Sequence, residues 1–423
     1  MADAEKKPFN KLLLYFLILL MIITGSINTI FNKILQKLYG LGIIFEQHHW
    51  IITFGMFAGE LVSIFFYAYI VIQRKKKKEE ALVSSQQEGE ETGETGETQP
   101  QPAKKGKPPV PTNLIFIITA SCDLLATTIN TFGLTYLTTS MFQMMRGLEL
   151  FFVCLWSTLY LKNPLYRHAV LGVGTLIFEL ILVGINAIIN DQGSVARNPV
   201  VGIILLCTSQ FFSSTEYVLQ EKFIKHYEVH PFQLVGFEGL WGVCMYSILL
   251  IIFQFVHCND WSEALQEICF RDDEGDFLVE NSIFAFRQMW DNINLLIVYI
   301  FYVVSIALYN IVGINLTKLV SSTARAVVDT VRTVFIWLFF LYFTPVEGTE
   351  EHFHVLQFIG FILLVLGTLI YNEILVLPFC KFDYYTRDNI AKRQKEEKEK
   401  KEKEDSEKLY ENSRDTENQS QDI

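Results

Sequence analysis

Three charged side chains recur at helical spacing inside one long apolar stretch of this chain. Arg325, Asp329 and Arg332 stand at positions i, i+4 and i+7, so a helix would present them on one face. One aspartate can neutralise one arginine or be shared between two, and one positive charge is left over. Guanidinium groups bind carboxylates and phosphates through paired hydrogen bonds, so the pattern predicts a binding site for a small organic anion.

A second polar series lies earlier in the chain, again among apolar residues. Gln143, Arg146 and Glu149 follow one another every three residues, near one face of a helix. Arg146 adds another cation, so the two stretches together predict a positively charged site. The alternative is that these charges form structural ion pairs, for example Arg146 with Glu216 or Glu238.

Other polar residues also stand within apolar stretches, where an unpaired charge costs a few kcal/mol. Such residues need a partner or a water-filled cavity, so we expect a polar interior. Tyr309 and Asn310 are neutral candidates for lining a binding cavity. The candidates for ion coupling or for structural charge pairing are Glu60, Asp123, Glu149, Glu216, Glu238 and Lys318.

The segments that hold these residues have the length and composition of membrane-spanning helices. The chain has 423 residues, of which 51% are hydrophobic and 14% aromatic. A helix needs about 20 apolar residues to cross a bilayer, and it pairs all its own backbone groups there. Ten segments are predicted to span: 12–31, 50–72, 113–137, 138–161, 168–188, 199–220, 232–256, 293–315, 319–343 and 353–377.

The distribution of lysine and arginine predicts the orientation of these spans. With ten spans, the even-numbered loops and both termini share one side, and that side holds most of the basic residues. The other side holds only Lys33, Lys37, Arg197, Arg271 and Arg287. Basic residues accumulate on the cytoplasmic side of membrane proteins, so both termini are predicted to be cytoplasmic. The first span is too long for a cleaved signal peptide and is expected to be an uncleaved anchor.

The chain divides into two halves of five predicted spans, separated and flanked by polar segments. The net charge of −11 lies mostly in those segments, so it says little about a ligand, and no basic stripe suggests nucleic acid. Two of the segments are too poor in large apolar residues to build a core: the loop is expected to be disordered, and the tail to be disordered or to form a short solvated helix. The predicted divisions are a cytoplasmic N-terminus at 1–11, a first half at 12–188 interrupted by a disordered cytoplasmic loop at 73–112, a second half at 199–377 with an acidic non-cytoplasmic loop at 258–292, and a charged, disordered cytoplasmic tail at 378–423.

The cysteines and the short motifs limit the chemistry further. Cys258 and Cys269 lie in the same non-cytoplasmic loop and would form a disulfide in an oxidising space, whereas free thiols are the alternative. The other cysteines lack metal-ligand spacing. There is no His-Glu-x-x-His motif, no paired intramembrane aspartate motif and no serine–histidine arrangement. We therefore expect neither an enzyme nor a bound metal or cofactor.

The two halves show a weak internal similarity. Residues 137–146 can be aligned without gaps to the residues from 319 onward. A glycine stands shortly upstream in each half, at Gly133 and Gly313. Because five is an odd number, the second half would be inverted relative to the first. Inverted repeats place a substrate site near the midplane at the repeat interface. The fourth and ninth spans, which hold the arginines, are equivalents under this hypothesis.

Six short blocks also match a known family in order along residues 12–377. They are TSMFQMMRG at 139–147, VLQEKF at 218–223, VHP at 229–231, GFEG at 236–239, GINLTK at 313–318 and ARAVVDTVRTVFIW at 324–337. Together these blocks resemble the F subgroup of solute carrier family 35, nucleotide-sugar-transporter-like carriers of the drug/metabolite transporter superfamily. The resemblance implies an all-α membrane protein of ten helices in two inverted five-helix repeats, with alternating access around a central cavity.

The expected function is transport of a small anionic organic solute, such as a nucleotide sugar or a related metabolite. The alternative is a membrane-embedded interaction protein that transports nothing itself. The expected partners are the solute and the lipid bilayer, and both a monomer and a dimer remain open. An endomembrane or lysosome-like location is expected from the resemblance, with a mitochondrial membrane as the other option.

Overall fold

The computed structural model describes most of the chain as α-helices. The described residues are 11–91, 112–137, 139–162, 166–190, 199–227, 229–260, 269–271, 277–343, 345, 355–371 and parts of 373–404. The helices are α1 Lys11–Lys37, α2 His49–Leu61, α3 Ser63–Glu91, α4 Phe116–Tyr136, α5 Thr139–Met145, α6 Gly147–Leu159, α7 Arg167–Asn190, α8 Pro199–His226, α9 Pro231–Phe253, α10 Ser282–Asp291, α11 Ile293–Leu319, α12 Ser322–Tyr342 and α13 Val355–Tyr371.

Two short hairpins and three 3-10 turns complete the described structure. Strands β1 and β2 pair antiparallel, as do β3 and β4. The strands are β1 Tyr39–Gly40, β2 Ile43–Ile44, β3 Phe270–Arg271 and β4 Phe277–Leu278, and the 3-10 turns are Phe45–Gln47, Asn113–Ile115 and Asp383–Tyr385.

Long apolar helices make this an integral, multi-pass membrane protein. Within the described ranges, five helices are long and apolar enough to cross a bilayer. These are Leu12–Lys37, His49–Glu80, Asn113–Leu134, Pro231–Phe253 and Ile293–Leu319. Helix α6 and residues Phe358–Tyr371 are apolar but shorter. The outward face of α1 exposes Leu12, Tyr15, Phe16 and Leu19, as expected of a surface that contacts lipid.

Two predicted spans are interrupted by a single tight turn. Val62 separates α2 from α3, and its N–H bonds the carbonyl of Gly59 at 3.2 Å. Arg146 separates α5 from α6, and the N–H of Glu149 bonds its carbonyl at 3.0 Å. Both are i→i+3 bonds, which tighten the helix locally at what is often a functional position. The second interruption therefore falls on one of the predicted binding residues.

The loop prediction differs from the structure in part, whereas the tail adopts one of its two expected forms. Helix α3 continues to Glu91, so residues 74–91, predicted to be disordered, are helical. Lysine, glutamate, alanine and glutamine are good helix formers, and here they extend a helix already nucleated in the apolar segment. In the tail, helical residues occur between 389 and 404 for the same reason. The predicted segments at 1–10, 92–111 and 405–423 lie outside the described residues.

The helices of the two halves interleave and do not form two separate bundles. Helix α4 packs along α8, α1 along α11, α2 along α9, and α7 along α13. Helix α12 lies between α1 and α6, next to α11. Two large apolar clusters result, one around Phe142 and Leu364 and the other around Phe57 and Tyr302. This arrangement brings α12 and the α5–α6 turn to the same interior space.

Helices α7 and α13 approach so closely that their backbones touch at two glycines. A Cβ atom on Gly172 would lie 2.8 Å from the carbonyl oxygen of Gly367, and a Cβ on Gly367 would lie 3.0 Å from that of Gly172. Small residues at such crossings allow the close packing that holds membrane helices together.

We expect the substitution Gly172→Val to destabilise the protein by about 1–3 kcal/mol, because the added side chain must displace backbone atoms. Gly174, two residues away, has no atom within 4 Å of an added Cβ and provides the matched control. Thermal unfolding of the purified variants in detergent should show a lower midpoint for Gly172→Val than for Gly174→Val. Equal midpoints would contradict the observed crossing.

Candidate functional site

A polar cavity lies among the interleaved helices α1, α4, α8, α11 and α12. Its volume is about 90 Å³. The polar and charged residues along it are Asn28, Thr29, Asn32, Asp123, Thr127, Asn130, Thr131, Arg146, Ser209, Gln210, Ser213, Glu216, Tyr217, Tyr302, Tyr309, Asn310, Arg325 and Arg332. This cavity volume is smaller than the volumes of about 300–1,000 Å³ that are typical of sites for drug-sized molecules.

Asp329 joins the two arginine-bearing spans. Its carboxylate lies 2.9 Å from Nη2 of Arg146 on the α5–α6 turn and 2.7 Å from Nε of Arg332 on its own helix. The hydroxyl of Tyr309 also donates to it. Asp329 and Arg332 are buried. The expected sharing of one aspartate between two arginines is therefore present, but one of those arginines belongs to the other half of the chain.

Arg325 has a different environment although it lies on the same helix. Its Nη1 donates to Oε1 of Gln220 at 2.8 Å, and its guanidinium lies 3.8 Å from the ring centre of Tyr217. A guanidinium stacked on an aromatic face gains a cation–π attraction. The hydroxyls of Tyr217 and Tyr309 are 3.2 Å apart, so this arginine is linked to the Asp329 group.

Each of the three arginines retains unused hydrogen-bonding capacity. Nε of Arg146, Nε of Arg325 and Nη1 of Arg332 are buried and have no hydrogen-bond partner among the described side chains. Leaving a buried charged donor unsatisfied costs about 1–3 kcal/mol or more. All three arginines line the cavity, so an anionic ligand there would meet donors that the protein does not satisfy itself.

A group of carboxyl side chains lies on the other side of Arg325. Asn310 donates to Oε1 of Glu60. The side-chain amide of Gln220 lies 2.5 Å from Glu216 and 3.0 Å from both oxygens of Glu238. Asp123 accepts a hydrogen bond from Thr127 at 2.8 Å, and it is close enough to Glu60 to interact electrostatically.

Glu149 lies apart from this group, on the arginine side of the cavity. It is buried and accepts a hydrogen bond from Ser213 at 2.6 Å. Arg146 and Asp329 are its charged neighbours. The fourth span therefore contributes one cation and one acid to the same region.

The structure brings most of the predicted residues together, with some differences. Arg146 pairs with Asp329 and not with Glu216 or Glu238: its Nη2 lies 2.9 Å from the Asp329 carboxylate, whereas Gln220 holds Glu216 and Glu238. Lys318 is exposed near the end of α11, away from the cavity. The backbone of Gln143 lies in α5, but its side chain falls outside the described residues.

Sequence reasoning missed two residues that organise the site. Gln220 bridges Glu216, Glu238 and Arg325, and Tyr217 stacks on Arg325. Both lie beside Glu216 on α8, where an uncharged glutamine or tyrosine is not unusual in an apolar segment. A signal exists in the motif VLQEKF, whose glutamine is Gln220.

The loops at the far end of α1 and α9 form a compact cap. Nδ1 of His48 lies 2.5 Å from Oε1 of Glu280, and both side chains are fully buried. The ring of His48 stacks on Phe270 of β3 at 4.8 Å between centres. Cys258 and Cys269 are joined by a disulfide that ties the end of α9 to this hairpin.

Among the described residues outside the spanning segments, two titratable groups have shifted pKa values. Burial raises the pKa of Glu46, but the ammonium of Lys37, 2.8 Å away, lowers it. The net result is a pKa below the ordinary value of a glutamate. Burial, with the positive charges of Lys318 and Arg74, lowers the pKa of His230. A neutral His230 ring can accept the N–H of Phe232 at 3.3 Å and so cap the start of α9.

A polar cavity lined by charged residues and enclosed by lipid-facing apolar helices defines the class of multi-pass solute transporters. The relatives of the chain agree with this class. It is 30% identical to rat "Solute carrier family 35 member F6" over 365 residues, which cover 84% of this chain and 88% of the relative. The human protein of that name is 30% identical over 364 residues, with the same coverage. The chain therefore belongs to solute carrier family 35, F subgroup.

Other comparisons add less. "Uncharacterized protein C12G12.12" of Schizosaccharomyces pombe is 28% identical over 273 residues, which cover 64% of this chain and 78% of the relative. No family model matches the chain. One crystal structure aligns with 85% of this chain and 97% of its own length at a TM-score of 0.42 and 13% identity.

Proposed function

We propose that the protein transports a small organic anion through the central cavity by alternating access. The observation that supports this most directly is the set of three arginines, two buried and one partly buried, each with a buried guanidinium nitrogen that lacks a partner among the described side chains. Carboxylates and phosphates are the ligands that such nitrogens bind best.

The helix contacts support an arrangement of ten spans in two inverted repeats. In this proposal α2 with α3 and α5 with α6 each form one span. The symmetry would exchange spans one to five with spans six to ten, in order. The α4–α8 contact then corresponds to α11–α1. In the same way α6–α8 corresponds to α12–α1, and α2–α11 corresponds to α9–α4. Each of these contacts and its counterpart are present. A substrate site at the interface of the repeats is what such symmetry favours.

The cavity and its closed end support a state of the transport cycle in which the cytoplasmic side is closed. Asn32 and Leu134 line the cavity near the ends of α1 and α4 that we assign to the non-cytoplasmic side. At the opposite end, Glu221 accepts the backbone N–H of Ser322 at 2.7 Å and also its hydroxyl, and it pairs with Lys225. These contacts hold α8 against the start of α12. In the proposed topology, with both termini in the cytoplasm, they close the cytoplasmic side.

The disulfide of the cap supports a cellular location in which the non-cytoplasmic side of the membrane is oxidising. The disulfide between Cys258 and Cys269 lies on that side in the proposed topology. An endomembrane compartment, lysosome-like or secretory, meets this condition. A mitochondrial membrane is the alternative from the sequence, and the disulfide argues against its matrix side.

The test of the proposed function is a thermal-shift screen of the purified full-length protein in detergent. The ligands are UMP, UDP-glucose, succinate, inorganic phosphate and a mixture of zwitterionic amino acids with no net charge. We expect at least one organic anion to raise the unfolding midpoint, because a ligand that binds only the folded state stabilises it. Arg146→Gln should require at least about tenfold more of that anion for the same shift, the loss expected for one charge-assisted hydrogen bond.

The matched control is Arg287→Gln, since Arg287 is an exposed arginine on α10. It should leave the anion shift unchanged. Arg146 is chosen because Asp329 retains Arg332 as its partner when Arg146 is lost. If no anion shifts the midpoint of the unsubstituted protein, the transport proposal fails and the membrane-embedded interaction protein becomes the better hypothesis.

A further inference from the structure

Four buried carboxyl groups from four helices converge beside the arginine site. They are Glu60 of α2, Asp123 of α4, Glu216 of α8 and Glu238 of α9, and we refer to them as the carboxyl cluster. Gln220 bridges Glu216 and Glu238. Asp123 and Glu216 line the cavity itself. The cluster is thus continuous with the space proposed for the solute.

The helix crossing at Glu60 brings the cluster together. A Cβ atom on Gly239 would lie 2.7 Å from the carbonyl carbon of Glu60 and 2.8 Å from its Cβ, so α2 and α9 touch at this point. Glu238 is the next residue along α9, and it is an electrostatic neighbour of Glu60. The substitution of Gly239 by a larger residue would therefore separate the carboxyl groups.

One buried carboxyl oxygen in the cluster has no hydrogen-bond partner within the described part of the chain. Glu60 is 2% exposed, its Oε1 accepts from Asn310, and its Oε2 has no hydrogen-bond partner among the described residues. Gln210, also 2% exposed and lining the same cavity, has an unpartnered Oε1. Both atoms are hydrogen-bond acceptors, so the groups missing from this region are donors. A proton on Glu60 is the smallest species that supplies one.

The charges around the cavity do not balance without bound protons. Six buried carboxyl groups face three guanidinium groups, which leaves an excess of three negative charges if all ionise. The carboxyl groups are Glu60, Asp123, Glu149, Glu216, Glu238 and Asp329, and the guanidinium groups are those of Arg146, Arg325 and Arg332. An anion entering that space would be repelled, because interior charges are poorly screened.

The groups that face the cluster come from every neighbouring helix. Arg325 of α12 is the only guanidinium among its described electrostatic neighbours. The remaining groups are titratable but uncharged at neutral pH. They are Cys122 of α4, Tyr246 of α9 and Tyr302 of α11. One cation therefore faces four acids.

We propose that the carboxyl cluster is a proton-binding site and that the protein is a proton–anion symporter. The symport rests on the proposed function. A proton from water on one side forms an O–H bond with a cluster oxygen, the negative excess falls, and the anion reaches the arginines. After the cavity opens to the other side, the O–H bond breaks, the proton returns to water there, and the restored negative charge expels the anion.

The test uses the full-length protein in liposomes adsorbed on a solid-supported membrane, with the proton as the only probe. A rapid pH step across the outer surface should produce a transient current that protein-free liposomes lack. Glu60→Gln, which keeps the shape of the side chain and removes its titration, should abolish most of that current. Glu216→Gln, on a different helix, should reduce it as well. The second variant keeps the test decisive if the first does not fold.

The matched control is Glu179→Gln. Glu179 of α7 is fully buried, lies outside the carboxyl cluster, and has no hydrogen-bond partner among the described residues for either oxygen. A carboxyl group sealed from water and from charge should not exchange protons during the pH step. The current of this variant should therefore equal that of the unsubstituted protein.

The outcomes separate this inference from the proposed function. If the unsubstituted protein gives no proton current while Arg146-dependent anion shifts persist, the symport is overturned and anion binding stands. A full current in both Glu60→Gln and Glu216→Gln would overturn the cluster as the proton site. If a proton current is present but no anion raises the unfolding midpoint, the proposed function fails, and the symport, which rests on it, fails as well. Loss of current in both variants, with Glu179→Gln unaffected and anion shifts present, supports it.

Discussion

Replacing Asp329 with alanine is expected to lower the free energy of unfolding by about 3–5 kcal/mol, the usual loss when one partner of a buried ion pair is removed. Asp329 is buried and lies between Arg146 and Arg332. Its removal leaves two cations in the membrane interior without their shared carboxylate. It also leaves the hydroxyl of Tyr309 without its acceptor.

The measurement is an equilibrium unfolding titration of the purified protein in mixed micelles. The control Asp291→Ala removes an exposed aspartate at the end of α10 and should change the unfolding free energy by less than about 0.5 kcal/mol. The double variant Arg146→Gln/Asp329→Ala should lose less than the sum of its single variants, because one unpaired cation is removed with the acid. Additive losses would show that Arg146 and Asp329 do not interact.

The second large effect is expected in the cap, where His48→Ala should lower the unfolding free energy by about 1–3 kcal/mol, the usual cost of leaving a buried hydrogen-bonding group without its partner. Glu280 would lose its imidazole partner while its side chain stays fully buried. Its Oε1 would then keep only the backbone N–H of Asn281, at 2.9 Å. The stacking of the imidazole on Phe270 would be lost as well.

The same unfolding titration measures this effect, and an exposed pair provides the control. Lys395 and Glu399 are 4.0 Å apart, with side chains 80% and 60% exposed, so Lys395→Ala should cost no more than about 0.5 kcal/mol. Equal losses of unfolding free energy in Lys395→Ala and His48→Ala would mean that the cap contributes little to folding. A large effect of His48→Ala would show that the cap is part of the cooperative core.

The arginine site could be predicted in part from local spacing. A helix repeats every 3.6 residues, so the positions of Arg325, Asp329 and Arg332 placed them on one face before any tertiary structure was known. The exposure of Lys318 could not be predicted, because its helix faces both the interior and the surroundings. Gln220 was missed for a related reason, since an amide becomes informative only when its neighbours are known.

The sequence by itself determined the class of protein, the positions of its long apolar helices and the residues that bring charge into them. These are local properties, since a bilayer requires length and low polarity within each segment. Only the tertiary structure decided which charges meet. Asp329 binds an arginine 183 residues away, and His48 binds a glutamate 232 residues away. Periodicity orients a side chain about its own helix, whereas its partner depends on which helix packs opposite, and that is set by the interleaving of the two halves.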